Sequence, residues 1–318
     1  MQGLASVSDK LLFATIVVYA LAMLCFAGEQ AARKGRGQTR PAGQPGPIAD
    51  AGRTTPPRGA SPGAPRGGIG RLAVVLTAGG AVVHLVSLVL RGVAAGRPPW
   101  GNMFEFSSSV AFVAVVAFLY LVVARRVERT VGAFVMVPVV LYLGLAGTVL
   151  YTPVGPLVPA LDSYWLKIHV AAAVLSSGAF LLSGVVALLY LTRARYDQRR
   201  AAAQAVRFPL SLGGSLPVAG SLDRASYSVI AFAFPVWTFV VVAGAIWAEA
   251  AWGRYWGWDP KETWSFITWV LYAGYLHARA TAGWKGRKAA WIAVAAAVAL
   301  VIDYYVVNIF VVGLHSYA

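Results

Sequence analysis

Tryptophan is concentrated in one segment of the chain, residues 247–269, which also contains glycines and charged residues. Indole rings are flat and apolar with a polar N–H at the edge, so a cluster of them suits a large planar amphipathic ligand. An aromatic belt at a membrane–water interface is the alternative, but a belt does not require so many. The segment holds six of the chain's 11 tryptophans: Trp247, Trp252, Trp256, Trp258, Trp264 and Trp269.

All four histidines lie in or beside apolar runs. Imidazole is the usual axial ligand of haem iron, and two imidazoles on opposite faces of a porphyrin complete a six-coordinate site. His169 and His315 flank the Trp-rich segment, and we interpret them as ligands to haem iron. His84 and His277 are candidates for a second bis-histidine site within the membrane. The alternative for each buried ring is a hydrogen-bonded interior residue, although ionisable residues inside membranes are commonly functional.

Charged residues of the same segment complete the candidate site. Arg254 and Lys261 can donate to the propionates of a haem. Asp259 is a candidate too, and it is equally a predicted helix N-cap with Pro260 at the first helical position and Glu262 at the third. In this segment the candidate cofactor-binding residues are Trp252, Arg254, Trp256, Trp258, Asp259, Lys261 and Trp264.

The composition indicates which elements hold these residues. The chain has 318 residues, of which 58% are hydrophobic and 12% charged, and its mean hydropathy is +0.66. Soluble proteins carry about 25% charged residues, so this is the composition of a polytopic membrane protein. In lipid, an apolar run of the chain must form a helix, and a helix that crosses the membrane takes roughly 20 residues. We predict an all-α protein with about eight transmembrane helices, near 9–28, 71–93, 104–124, 131–151, 168–192, 227–247, 264–280 and 289–313.

The chain divides into three predicted parts. Residues 1–28 form the first transmembrane helix. Residues 29–70 are rich in Gly, Pro and Arg and are expected to be a disordered basic linker. Residues 71–318 form the transmembrane bundle, including the Trp-rich segment 247–269.

The positive charge follows the loops. Of the 27 Lys and Arg, 21 fall in the linker with the adjacent Arg71 and in the loops 124–130, 193–226 and 278–288. The positive-inside rule places these loops in the cytoplasm and both termini outside. The Trp-rich segment, His169 and His315 then share the outer face. The net charge of +15 is therefore a topology signal and does not indicate nucleic-acid binding.

Several functional classes find no support. Cys25 is the only cysteine, which excludes an intramolecular disulfide and a cysteine-built metal site. The sequence contains no Ser–His–Asp set, HExxH, P-loop or Gly-rich nucleotide motif. No cleavable signal peptide is evident. Polar residues in the last helix, such as Asp303 and Asn308, are expected to form interhelical hydrogen bonds.

The run WGRYWGWDPKETW at 252–264 resembles the WWD signature of haem-handling proteins. More narrowly, the chain resembles the CcsA/ResC family (also named CcsB) of System II cytochrome c biogenesis. The ending GLHSY at 313–317, the SYWL at 163–166 and the Asn-x-x-Glu at 102–105 are similar to that family's elements. The resemblance covers roughly residues 98 to 318.

The resemblance implies a function. It assigns His169 and His315 to haem at the outer face and His277 to a transmembrane site, with His84 matched only by position. Haem b is then delivered to the thiols of a CxxCH motif in apocytochrome c, within a holocytochrome c synthase (haem-lyase) complex. The implied partners are a ResB-type membrane protein and thiol-reducing proteins, and the implied location is the bacterial cytoplasmic membrane, with the active face extracytoplasmic.

Two other functions remain open. A b-type membrane cytochrome would use the same histidines for permanent haems and the Trp-rich segment for a quinone. A transporter or lipid-linked transferase would use the segment as an external substrate platform. The sequence offers no identifiable general base for activating a thiol.

Overall fold

The computed structural model describes residues 2–38, 68–155, 163–281 and 283–315. Across these ranges every regular element is helical and no strand occurs. The long helices are α1 (Gln2–Gln38), α2 (Gly68–Ala95), α3 (Met103–Val123), α4 (Gly132–Thr148), α5 (Tyr164–Ala201), α6 (Ala219–Trp252), α7 (Pro260–Ala280) and α8 (Arg287–Val301). A π-turn (Ile302–Val306) continues α8 into the short α9 (Val307–Phe310), and 3₁₀ turns occupy Arg129–Val131 and Leu210–Ser215.

Seven helical segments in the described ranges are long and apolar enough to cross a membrane. They are the part of α1 up to Ala32, the helices α2 to α6, and the continuous stretch Arg287–Phe310. The helix α7 is not among them, because Trp, Tyr, His277 and charged residues lower its mean hydropathy. The all-helical, multi-pass fold is confirmed, whereas the count of eight spans and the orientation stay predictions.

The first helix extends beyond its predicted end at residue 28. Its next turn is held in place, since the Arg129 guanidinium contacts the Glu29 carboxylate at 2.8 Å and the Gln30 amide donates to the Thr130 carbonyl. The helix α1 therefore reaches Gln38, inside the segment predicted as a linker. The rest of that segment, 39–67, lies outside the described residues.

The helix α5 is the most deeply buried of the spanning segments and packs on α3, α6 and α8. Small residues allow this close approach. A Cβ at Gly178 would lie 2.7 Å from Val113 in α3, and one at Gly184 would lie 2.6 Å from the Cβ of Ala297 in α8. The helices α1 and α2 pack against each other, and this pair contacts α3 and α4.

A buried ionic network fixes the chain entering α3. Glu105 is fully buried and accepts from Arg91 at 2.9 Å and from Arg97 at 2.6 Å. Arg91 also contacts Asp9 at 3.1 Å, which ties α1 to α2. Asn102 caps α3 by accepting from the Glu105 N–H. The segment 96–102 is therefore held rigidly beside the end of α2.

Candidate functional site

A pocket opens where α5 and α7 begin and where α6 and the α8–α9 stretch end. The space between its atoms, including the open mouth, is about 1410 Å³. Its walls are largely apolar, as in most sites for organic ligands. The lining residues include Trp100, Asn102, Lys167, His169, Trp237, Gly244, Trp247, Trp252, Tyr255, Trp256, Lys261, Glu262, Asp303, Tyr304, Asn308 and His315.

His169 projects into this pocket from the start of α5. Its Nδ1 lies 2.9 Å from the carbonyl oxygen of Val240 in α6. A carbonyl oxygen only accepts, so Nδ1 carries the proton and Nε2 keeps its lone pair. The ring rests on Gly244, where an added Cβ would lie 2.8 Å from Cε1 and 2.9 Å from Nδ1. A glycine is therefore required at this contact between α5 and α6.

His315 lines the same pocket from the segment after α9. Its Nδ1 lies 2.9 Å from Oδ2 of Asp259, and the Leu314 N–H donates to Oδ1 of that carboxylate at 2.7 Å. Position 313 is also confined, since a Cβ at Gly313 would lie 2.7 Å from Oδ1. The Asp259 carboxylate thus holds the segment from Gly313 to His315 in place and fixes which nitrogen of His315 faces the pocket.

The charges of this pair follow from its environment. Burial opposes ionisation of Asp259, but hydrogen bonds from the Leu314 N–H and from His315 outweigh it and hold the pKa of the carboxyl below its ordinary 3.8. Burial lowers the pKa of His315 below its ordinary 6.5, and the hydrogen bond to Asp259 opposes that shift without cancelling it. At neutral pH the pair is a carboxylate beside a neutral imidazole, the form that can bind a metal.

Asp259 also begins α7, as the sequence predicts. It is the N-cap residue, Pro260 follows at the first helical position, and Glu262 completes a capping box. Glu262 accepts from the Gly257 N–H at 2.8 Å and from the Asp259 N–H at 3.1 Å. The helix α6 ends at Gly253, whose φ of 71° is left-handed. The predicted cap and the candidate binding role therefore belong to one residue.

The predicted tryptophans divide into two groups. Trp252 and Trp256 line the pocket, and the Trp252 ring contacts the His315 imidazole edge-on at a centroid distance of 4.9 Å. Trp258 does not belong to the lining; it is 65% exposed and has a φ of 59°. Trp264 is also absent from the lining. The pocket wall therefore uses part of the Trp-rich segment and leaves Trp258 on the surface.

The two predicted propionate donors are likewise separated. Lys261 lines the pocket. Arg254 does not; its guanidinium lies against Gly257, in the space that a side chain at 257 would occupy. The structure thus brings Lys261, and not Arg254, to the two histidines.

His84 and His277 are not brought together by the described contacts. His84 is fully buried, with Nε2 2.9 Å from the Ser108 hydroxyl and Nδ1 3.4 Å from the Tyr19 hydroxyl. Both ring nitrogens therefore have hydroxyl partners in the α1–α3 part of the bundle. His277 is exposed on α7, which packs on α6 and α8. These positions do not support a site shared by the two rings.

Other lining residues were not predicted. Trp237 and Gly244 precede the Trp-rich segment on α6, and they lie on the same face because they are seven residues apart. That helical spacing from Trp237 to Gly244 was available in the sequence. Asp303 and Asn308 also line the pocket, and their positions depend on the π-turn. The sequence carries no pattern that predicts such a turn.

Comparison with known proteins places this pocket in context. The sequence profile of the family described as Cytochrome C assembly protein matches residues 100–315. The chain is 35% identical over 251 residues to the cytochrome c biogenesis protein CcsA of Trieres chinensis. That match covers 71% of this chain and 80% of the relative. It is also 34% identical over 292 residues to CcsA of Gloeobacter violaceus, in a match that covers 76% of this chain and 86% of the relative. Every candidate site residue except His84 lies within the matched range.

Proposed function

Because the chain belongs to the cytochrome c assembly protein family, we propose that it binds haem b in this pocket and presents it to apocytochrome c. The family membership gives it a role in cytochrome c biogenesis. Haem is the substrate here, since it leaves the pocket attached to another protein. The axial ligands are His169 and His315.

One observation carries the proposal: two imidazoles line one pocket, and each has Nδ1 engaged by an acceptor 2.9 Å away. Histidines that bind metals usually donate their other ring N–H to a carboxylate or a backbone carbonyl. Val240 supplies the carbonyl and Asp259 the carboxylate. Iron would then be coordinated through Nε2 of each ring, and the acidic partner would make His315 the more basic ligand.

The aromatic walls would orient the porphyrin ring. Trp252 and Trp256 offer apolar faces beside the histidines, and the open mouth of the pocket would give an apocytochrome access to one edge of the ring. Each cysteine of a CxxCH motif adds across one vinyl group, so that sulfur bonds to one vinyl carbon and the thiol proton ends on the other. No net oxidant or reductant is needed for this addition. The chain holds the reactants in place, and positioning of this kind can lower a barrier by about 7–11 kcal/mol.

The setting of this reaction completes the proposal. All pocket-forming helix ends lie at one end of the bundle, and the positive-inside rule supports an extracytoplasmic position for that end. We place the protein in the bacterial cytoplasmic membrane, in a haem-lyase complex with a ResB-type partner. Thiol-reducing proteins would keep the apocytochrome cysteines free.

The test is co-expression of the full chain with its expected partner and an apocytochrome bearing CxxCH, scored by covalent haem. His169→Gly and His315→Gly should each abolish covalent attachment, and added imidazole should restore part of it by filling the vacated ligand position. Trp291→Ala, at an exposed position on α8, is the control and should act as the wild type. Attachment that survives both histidine substitutions would refute the proposal. Stoichiometric haem that is reduced by quinol and never transferred would indicate a b-type cytochrome instead.

A further inference from the structure

Glu262 lies in the first turn of α7 and lines the pocket that opens there. The residue is 7% exposed, so its carboxylate is almost wholly shielded from solvent. Oε2 accepts from the Gly257 N–H and the Asp259 N–H, which ties the carboxylate to the loop that carries Trp256 and Trp258. Oε1 has no hydrogen-bond partner. One oxygen is therefore committed to the fold, and the other can accept a hydrogen bond from a ligand.

The free oxygen of Glu262 indicates what kind of group is missing. Buried polar atoms are normally satisfied, and a carboxylate can only accept, so the missing partner carries an N–H, O–H or S–H group. Haem with ionised propionates has no such donor at its edge. The cysteine thiols of an apocytochrome do have one, and the proposed reaction must remove that proton.

Other ionisable side chains of the pocket are less suited to take a thiol proton. In the proposed arrangement, His169 and His315 use one ring nitrogen for a hydrogen bond and the other for iron. The ammonium of Lys261 has donors and no acceptor. Asp303 lies about 10 Å below the end of the α8–α9 stretch, at 1.5 Å per residue, whereas Glu262 is at the very start of α7. Glu262 is therefore the better placed acceptor for a protein substrate that enters by the mouth.

Glu262 also lies near one of the proposed iron ligands. Burial lowers the pKa of His315, and the negative charge of Glu262 is one of the influences that oppose this shift. A group beside an axial ligand would face the periphery of the porphyrin, which is where the vinyl groups are. The carboxylate is thus within the region that both reactants would share.

We propose that Glu262 is the general base of haem attachment: its Oε1 accepts the proton of the attacking cysteine thiol and returns it to the vinyl group. This inference rests on the proposed function. Sulfur bonds to one vinyl carbon while the S–H proton passes to Oε1. The electron pair of the vinyl double bond moves to the other carbon, which then takes the proton from Oε1. The carboxylate ends as it began, so no further reactant is consumed.

Glu262→Gln tests the proposal, because glutamine also completes a capping box and keeps an oxygen for the two backbone N–H groups. The full chain, purified with its expected partner and loaded with ferrous haem, is mixed with a reduced apocytochrome bearing CxxCH, and covalent haem is followed over time. At about pH 7 the variant should attach haem about 100- to 10,000-fold more slowly than the wild type, the usual contribution of a positioned base. Its rate should rise about tenfold per pH unit up to the thiol pKa of about 8.5, because only thiolate already present can react. The wild-type profile should be flatter.

Two controls separate chemistry from binding and from folding. Mesohaem, which has ethyl groups in place of vinyls and forms no thioether, should bind to Glu262→Gln with the affinity of the wild type in a Soret titration. Glu249→Gln, which replaces an exposed acid near the end of α6, should attach haem as the wild type does. The remaining ionisable groups of the pocket are common to all these proteins, so the ratio of rates at each pH isolates position 262.

Two results would overturn the role of Glu262 and leave the proposed function intact. One is equal attachment by Glu262→Gln and the wild type at about pH 7, and the other is a deficit that is the same at every pH, as loss of positioning alone would give. A wild-type chain that binds neither haem nor mesohaem would instead overturn the proposed function, and this inference with it.

Discussion

Oδ2 of Asp259 lies 2.9 Å from Nδ1 of His315, and the same side chain caps α7. One carboxylate therefore determines both where a helix begins and how a candidate ligand is oriented. The two roles can be separated chemically. An amide caps a helix about as well as a carboxylate, but it lacks the charge that makes an imidazole more basic.

Asp259→Asn should therefore keep the fold and weaken haem binding by about 10- to 100-fold, the usual effect of losing a carboxylate behind a metal-bound histidine. The reduction potential of bound haem should rise as His315 becomes a poorer donor. Soret titration and a redox titration measure the two effects. Asp259→Ala serves for comparison. Besides weakening haem binding, it should lower the free energy of unfolding by about 1 kcal/mol, because the helix cap is lost. Equal haem affinity in Asp259→Asn and wild type would contradict the proposed role.

Gly244→Ala should abolish haem binding while the helices remain folded. The new Cβ would lie 2.8 Å from Cε1 of His169, so the imidazole must leave its hydrogen bond to Val240. Loss of the six-coordinate spectrum would report this, with circular dichroism reporting helix content. Gly274→Ala is the matched control, because a Cβ there meets nothing within 4 Å. Normal haem binding by Gly244→Ala would show that His169 does not need its present position.

Trp252→Ala and Trp258→Ala should differ, although both residues belong to the same sequence segment. Trp252 lines the pocket and contacts His315, so its loss should weaken haem binding by about tenfold or more, given the large area of an indole. Trp258 is 65% exposed and outside the lining, so its loss should change haem affinity by less than about twofold. Equal losses would mean that Trp258 reaches the ligand in the loaded protein.

Acid should destabilise the haem-free protein through His315. Burial lowers the pKa of His315 in the folded chain, so the unfolded chain takes up a proton near pH 6.5 before the folded chain does. This group leaves the free energy of unfolding unchanged above that pH and reduces it as the pH falls. Between about pH 7.5 and about pH 5, the unfolding temperature should therefore fall more steeply with decreasing pH for the wild type than for His315→Gln. Parallel curves would exclude His315 as the source.

Glu105→Gln should be strongly destabilising. Glu105 is fully buried between Arg91 and Arg97, and removing one partner of a buried ion pair costs about 3–5 kcal/mol. The segment 96–102, which borders the pocket, should loosen, and haem binding should fall with it. Asp197→Asn breaks the partly exposed pair with Arg193 and should cost no more than about 1 kcal/mol. Thermal unfolding compares the two.

The amino-acid pattern predicted much of this architecture. Apolar runs located the helices because a bilayer sets their length and forces their backbone hydrogen bonds inward. Local chemistry at Asp259 predicted where α7 begins. The first helix continues past its predicted end at residue 28, where Glu29 is held by Arg129, a partner 100 residues away that no local pattern reveals.

The candidate site was predicted less completely, for a similar reason. Residue type and spacing pointed to His169 and His315, but not to Val240 or Gly244, whose contributions are a backbone oxygen and the absence of a side chain. The assignment of Arg254 as a propionate donor rested on charge alone, whereas its position depends on how the loop folds over Gly257. A pairing of His84 with His277 assumed that their helices pack together, and side-chain periodicity does not determine which helices are neighbours.

The two imidazoles differ in what holds them. His169 is oriented by a main-chain carbonyl, which no amino-acid replacement at Val240 can remove short of deforming α6. His315 is oriented by a side chain, which a single codon change can alter. If both rings coordinate iron as proposed, exchanging residue 259 would change the electron donation at the His315 position and leave the His169 position unchanged.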